Sequence, residues 1–225
     1  MTEDVLVFLK PDAVIRRYIG ARTIKEFLDA GFKVEYFGEA YPSKEFIETK
    51  HYAQHRGKFF YDWLVDYVAS SYLLVFILTG NDVIYEVRKL LGDTLPENAD
   101  CNSIRGRYGI FGGINVAHAS DNVENGKREL DIWKRDVIEI QKNCDYTERA
   151  NAYINKYIDS LTVDTLIYRE ISRQVINEKI NEKEAKYLFA NLLSKESDLK
   201  REIILRFAGI MIRNALSRKE EVVEK

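Results

Sequence analysis

The sequence predicts an α+β protein: a ferredoxin-like βαββαβ antiparallel sheet with surrounding helices over residues 1–139, and an all-α extension over residues 140–225. Three observations carry this. Four short runs of strand character, at residues 5–9, 33–39, 72–79 and 116–119, recur before residue 134. Segments of helical periodicity separate them in the order β-α-β-(α)-(α)-β-α-β-α, and setting aside the two bracketed helices leaves βαββαβ. After Trp133 the composition changes: no proline follows, glycine almost vanishes, and four amphipathic helical patterns fill the rest.

Val5, Leu6, Val7, Phe8 and Leu9 form a continuous apolar run, as expected of a central strand buried on both faces. Lys10-Pro11-Asp12 ends it, because proline cannot continue a ladder. A loop leads to Gly20. Residues 21–30 then read as a helix with Ile24, Phe27 and Leu28 on one face and Gly31 as the stop. After the strand at 33–39, Ser43 is expected to cap a helix running to about Gln54. Leu64, Tyr67 and Val68 mark a helix over 61–70, and the run at 72–79 is a second central strand. Asn81 is expected to cap a helix over 82–91 that Gly92 ends. A long loop containing Pro96 covers 93–102. The strand at 116–119 feeds a helix over 122–133, capped by Ser120 or Asp121.

In the extension, Asp145 with Glu148 forms a capping box before Ala150, Tyr153, Ile154, Tyr157, Ile158 and Leu161 at helical spacing. Val163, Leu166, Ile167, Ile171 and Val175 mark a second helix. Asn181 with Glu184 caps a third, bearing Ala185, Leu188, Phe189, Leu192 and Leu193. Leu199, Ile203, Phe207, Ile210, Met211 and Asn214 trace a fourth, and residues 219–225 are expected to fray. Each apolar stripe must be buried, either in a small bundle or against the first domain. The boundary is expected between residues 139 and 145.

With 225 residues, the chain can bury a substantial core. Its 46% hydrophobic and 31% charged residues are those of an ordinary soluble protein, and a net charge of -2 argues against general polyanion binding, so no specific nucleic acid is expected. No apolar run is long enough to cross a bilayer, so no membrane partner is expected. Two cysteines, Cys101 and Cys144, and no signal peptide point to the cytoplasm.

The chemistry centres on His118, at a strand-to-helix corner where a side chain is fixed and still reachable. His51 and His55 lie on a different predicted helix, so the spacing does not suggest a metal site. No Gly-x-Ser-x-Gly elbow is present for acyl transfer. Around His118 the chain offers cations and hydroxyls instead: Lys10, Arg88, Thr94 and Arg105. Phosphoryl transfer needs this kit, since it depends on positioning and charge neutralisation. A neutral imidazole is a competent nucleophile toward phosphorus near pH 7.

From residue 5 to about 134 the chain resembles the nucleoside diphosphate kinases. The resemblance rests on Lys10-Pro11-Asp12, His51-Tyr52, Phe59-Phe60 with Leu64-Val65, Arg88, Leu91-Gly92 with Thr94 and Pro96, Ile104-Arg105-Gly106, Gly113, Asn115-Val116, His118-Ala119-Ser120-Asp121, Glu129 and Trp133. It implies that residues 1–139 form a domain of that kind. The family usually has glycine where Ala13 stands, and its loop before Ile104 normally ends Lys-Pro-Gly-Thr rather than Asp100-Cys101-Asn102-Ser103. No proposed catalytic position is altered.

The resemblance implies roles residue by residue. His118 is the phosphate-accepting nucleophile, Glu129 sets its tautomer, and Ser120 supports that contact. Lys10 reaches the transferring phosphate and the sugar hydroxyls, and Tyr52 lies near the γ-phosphate. Arg88, Thr94 and Arg105 hold the outer phosphates, Asn115 binds the ribose 3′-hydroxyl, and Phe60 stacks on the base. Asp121 helps place Mg²⁺ through water. The implied partners are nucleoside di- and triphosphates, in a homo-oligomeric assembly; residues 140–225, which the resemblance does not cover, could replace oligomer contacts, bind a protein partner or only stabilise. The competing expectation is a catalytically weak nucleotide-binding regulator or scaffold on the same fold, recruiting partners through its helical tail.

Overall fold

The computed structural model describes residues 2–223 of the chain, with side chains to Ser217. Four strands, β1 (Thr2–Leu9), β2 (Lys33–Ala40), β3 (Leu73–Asn81) and β4 (Ala117–Ala119), form one antiparallel sheet in the order β2-β3-β1-β4. This is the ferredoxin-like arrangement the sequence predicts. β1 and β3 lie at the centre. Residues 5–9 and 73–78 are buried throughout, which is why both read as unbroken apolar runs.

Between β1 and β2 run α1 (Pro11–Ile15) and α2 (Arg17–Asp29). The sequence reads as a loop here. Instead Pro11 opens α1 at its first turn, where a missing N–H costs nothing. Ala13 therefore has helical backbone, and no left-handed conformation is asked of it. Gly20 lies inside α2, where a Cβ would come within 2.8 Å of the Ala13 carbonyl and 3.1 Å of the Tyr153 hydroxyl. Close packing, not a turn, requires that glycine.

Ser43 caps α3 (Lys44–Phe46) as expected, accepting from the Phe46 N–H at 3.0 Å. The helix does not continue to Gln54; it widens into a π turn at Ile47–His51 and tightens into a 3-10 turn at Ala53–His55. α4 (Tyr61–Val68) follows, then α5 (Val83–Leu91) after β3. The cap of α5 is Asp82, in a left-handed conformation with φ 49°, rather than Asn81, whose side chain accepts from Thr2. Ser103 caps α6 (Ile104–Tyr108), a short helix the sequence pattern does not reveal. Asn122 caps α7 (Val123–Asp136), one position beyond the expected Ser120 or Asp121.

The C-terminal region contains α8 (Tyr146–Tyr157), α9 (Thr165–Ile176), α10 (Glu182–Glu196) and α11 (Arg201–Val223). Asp145 and Asn181 cap α8 and α10 through the predicted contacts to the N–H groups of Glu148 and Glu184. In α9 the buried face is Tyr168, Ile171, Ser172 and Val175, whereas Leu166 and Ile167, expected in the stripe, are 59% and 47% exposed. Leu161, expected in the stripe of α8, lies beyond its end and is also exposed. α11 continues through Val223; Glu224 and Lys225, the end of the stretch expected to fray, lie outside the described residues. No helix among the described residues is long and apolar enough to cross a membrane.

These helices use both of the available ways to bury their stripes. α9, α10 and α11 pack on one another, while α8 packs on α2 and β2 and α11 reaches α4. Tyr146 meets Tyr36, and Phe207 stacks on Tyr67. A buried ion pair ties the two parts together. Arg16, between α1 and α2, donates to Glu196 at the end of α10, to Thr165 and to the carbonyls of Tyr108 and Val163. Glu196 also accepts from Thr162, from the Val163 N–H and from the Tyr168 hydroxyl. Glu196→Ala leaves the Arg16 guanidinium buried without its anion. It should lower stability by about 3–5 kcal/mol, read as a lower urea midpoint.

Candidate functional site

The site forms where β1 ends beside β4. Cross-strand register sets Phe8 opposite His118. On an antiparallel pair, directly opposed side chains share a face, and the two rings stack with centroids 4.7 Å apart. Trp133 of α7 also stacks on Phe8, with ring centroids 5.2 Å apart. His118 is thus fixed by its strand neighbour and remains partly exposed, its side chain 17% accessible.

A helical turn sets the ring's hydrogen bonding. His118 Nε2 lies 2.8 Å from Oε2 of Glu129, on α7. Ser120 donates to the same oxygen at 2.7 Å. Burial alone would raise the Glu129 carboxyl; the adjacent His118 and the Ser120 hydrogen bond overcome it and hold the group at about 2. An ionised Glu129 can only accept a hydrogen bond, so Nε2–H is the donor to Oε2, and in that tautomer Nδ1 carries the lone pair on a ring that lines an open cleft of about 470 Å³.

Val116 turns the chain into β4 with φ 75°, which a β-branched residue rarely adopts. Its carbonyl accepts from the Lys10 N–H at 2.8 Å, and its N–H donates to Asp12 Oδ2 at 2.9 Å. The other Asp12 oxygen accepts from Tyr67. Asp12 and Tyr67 escape a reading of the sequence as site residues. Their only signals are the Lys-Pro-Asp string and a position on an amphipathic helix.

Next to this turn, Lys10 donates to Asn115 Oδ1 at 2.7 Å, with the Gly113 carbonyl at 3.5 Å. Burial, and then the neighbouring Arg105, lower the Lys10 ammonium to about 7, with Asp12 acting in the opposite direction. Arg105 is itself buried. Its guanidinium donates to the carbonyls of Gly92, Asn115 and Ala117, and burial followed by Arg88 brings it down to about 10. Asn115 Nδ2 donates to the Thr94 carbonyl at 2.7 Å. Arg88 is exposed and makes no ion pair among the described residues.

Every sequence-selected residue except Ser120 lines this one cleft; Ser120 lies beneath it on Glu129. Lys10 and Arg105, both buried, and the exposed Arg88 bring basic groups to its lining. Phe60, half-buried beside Trp63 and Leu64, forms an apolar wall. Trp63 was not expected here; its ring fills the space a Cβ on Gly113 would need, 2.3 Å away. Tyr52 is buried against His51, and burial pushes its phenol well above the ordinary tyrosine range. His51 accepts from the Trp133 indole N–H at 3.2 Å, and burial keeps it well below the ordinary histidine range. Asp121 is exposed at the rim, with one oxygen bonded to Asn125.

A family model described as nucleoside diphosphate kinase matches residues 3–137. The nucleoside diphosphate kinase of Clostridium perfringens is 40% identical over 131 residues, 58% of this chain and 90% of that protein. The one of Thermococcus kodakarensis is 36% identical over 165 residues, 71% of this chain and 94% of its own length. Among solved structures, the enzyme from Encephalitozoon cuniculi superimposes with a TM-score of 0.57 at 33% identity, covering 65% of this chain and 97% of that one. The Aquifex aeolicus enzyme gives 0.55 at 30% identity, covering 59% and 94%.

A carboxyl whose folded value is depressed contributes stability above its ordinary value of 4.5, and loses it as pH falls toward about 2. Glu129→Gln should therefore flatten the loss of thermal stability between those two pH values relative to the wild type. An unchanged acid limb would show that the His118–Glu129 contact is not made in solution.

Proposed function

This chain belongs to the nucleoside diphosphate kinase family, and from that premise we propose that it transfers the γ-phosphate of a nucleoside triphosphate to a nucleoside diphosphate through phosphorylated His118. The supporting observation is the geometry of one ring: Nε2 is committed to an ionised carboxylate, and Nδ1 is left with its lone pair at a cationic cleft.

In the first half-reaction Nδ1 attacks the γ-phosphorus. The bond from phosphorus to the β,γ-bridging oxygen breaks, and the diphosphate leaves with the bonding electrons. The ring gains positive charge as the N–P bond forms, and Glu129 stabilises it through the Nε2 proton. In the second half a terminal oxygen of another diphosphate attacks the phosphohistidine, and Nδ1 recovers its electron pair.

The other side chains position and neutralise. Lys10 meets the transferring phosphate and the sugar hydroxyls. Arg88, Thr94 and Arg105 take the outer phosphates; three carbonyls occupy only part of the Arg105 fork, leaving N–H groups for oxygen ligands. Tyr52 offers its phenol near the γ-phosphate. Asn115 keeps one amide N–H for the ribose 3′-hydroxyl, its other groups being engaged by Lys10 and Thr94. Phe60 stacks on the base, a contact available to every base, which supports broad specificity.

Mg²⁺, when bound with the nucleotide, neutralises phosphate charge. Asp121 suits it, as an exposed carboxylate at the cleft rim able to act through water. His51, His118 and Glu129, whose candidate ligand atoms lie within 4.8 Å of one another, do not: two imidazoles are poor ligands for so hard a cation. Two free cysteines fit a cytoplasmic setting.

Incubation with γ-labelled ATP and Mg²⁺ should give acid-labile, base-stable label that passes to added GDP and is lost in His118→Ala. A wild type that binds nucleotide yet takes no label would favour the regulator or scaffold reading. A second test uses Lys10. It is charged below about pH 7 and neutral above it, and bound phosphate favours the charged form. Binding of Mg·ADP at pH 8 should therefore take up a proton, measurable by calorimetry in buffers of different ionisation enthalpy, and Lys10→Met should abolish the uptake.

A further inference from the structure

Asn214 lies in α11, on the stripe that otherwise carries Phe207, Ile210 and Met211, and is 1% exposed. An amide in an apolar stripe needs partners. Its partners are not on its own helix. Nδ2 donates to the Phe111 carbonyl at 2.9 Å, and Oδ1 accepts from the Gly113 N–H at 3.2 Å. One side chain from the far end of the chain thus engages both a donor and an acceptor of a single tight turn.

That turn leads into the cleft. Ile110 and Ile114 pair across it, and Gly112 is left-handed at φ 55° with its N–H on the Glu97 carboxylate. The Gly113 carbonyl faces Lys10 Nζ, and two residues later Asn115 accepts from the same ammonium. At the base of the same segment, Arg169 of α9 donates to the carbonyls of Gly106 and Gly109, around the helix that bears Arg105.

We propose that Asn214 is a positioning residue for the phosphate-handling end of the cleft: by holding the turn at Phe111–Gly113 it sets where Gly113 and Asn115 meet Lys10. The inference rests on the phosphotransfer reading for its effect on turnover, and on geometry alone for its effect on nucleotide binding. Without the amide, the Gly113 N–H loses its only partner among the described residues, and the turn is free to shift away from Lys10. The C-terminal helices then act on the site through Asn214, beyond adding stability.

The test uses full-length Asn214→Leu, which keeps the branch point and heavy-atom count while removing both hydrogen bonds, beside Arg169→Gln as a second full-length variant that loosens the same segment from its base. Assays run well below each variant's melting midpoint, with the folded fraction counted by circular dichroism. Asn214→Leu should weaken Mg·ADP binding and lower kcat/KM by about tenfold or more, the usual consequence of stranding a buried hydrogen-bond group near a site. Most of the change should appear in KM, because His118 and Glu129 are untouched and phosphohistidine still forms at saturating ATP. Arg169→Gln should shift binding in the same direction if Asn214→Leu fails to fold. A lower melting midpoint with Mg·ADP affinity and KM unchanged would overturn the proposal and leave Asn214 as a structural residue. If the wild type takes no label, the phosphotransfer reading fails, while the affinity comparison still decides the role of Asn214.

Discussion

The peptide groups on either side of Val116 are gripped by the start of α1, where it leaves β1: the N–H of Lys10, the cap of α1, holds its carbonyl, and the Asp12 carboxylate holds its N–H. A buried valine with positive φ costs on the order of 1–3 kcal/mol, and persists only where surrounding bonds over-determine it. Those two bonds do so, and Tyr67 fixes the carboxylate in turn. Because the turn is forced, Asn115 points back toward Lys10 and the next three residues enter the sheet in register with β1. His118 then falls opposite Phe8 and reaches Glu129. Loss of the Asp12 carboxylate would unfasten His118 without touching it.

The same corner concentrates cations that have given up much of their hydration. Lys10 and Arg105 are both held down from their ordinary values, first by burial. Carbonyl oxygens solvate Arg105, and an amide oxygen solvates Lys10. Such oxygens orient a cation without cancelling its charge, as a carboxylate would. A polyanion entering the cleft therefore meets the fixed charge of Arg105 and a Lys10 amine poised to take up a proton, both at low dielectric, the condition under which preorganised groups act most strongly. Glu129, the one buried carboxylate on the cleft wall, is turned to the imidazole rather than to the cations.

How much of this was legible in the sequence depended on whether the signal was local. β1 and β3 were plain because burial on both faces leaves no polar alternation to confuse. The caps at Asp145 and Asn181 were plain because a capping side chain bonds three residues away. The helix at Pro11–Ile15 was hidden: five residues give no period, and proline reads as an end as readily as a beginning. α9 was shifted because Leu166 and Ile167 are apolar yet face solvent, and hydropathy alone cannot choose between overlapping stripes. At the site, residues whose chemistry is intrinsic, such as His118, Lys10 and Glu129, could be selected, with the family resemblance supplying most of the weight. Those that matter by what they touch could not. Asp12 serves Val116, Trp63 serves Gly113, and Asn214 was counted with the apolar stripe of its helix.

Asn214 is separated from the turn it holds by 101 residues of chain. A ribosome adding about 5–20 residues per second therefore releases Phe111–Gly113 several seconds before its partner amide exists. During that interval the amino-terminal strands can pair and His118 can find Glu129, while the Gly113 N–H has only water to bond. The turn is completed only once α11 has been made, so a nascent chain would acquire the full arrangement around Lys10 only after residue 214 has joined it.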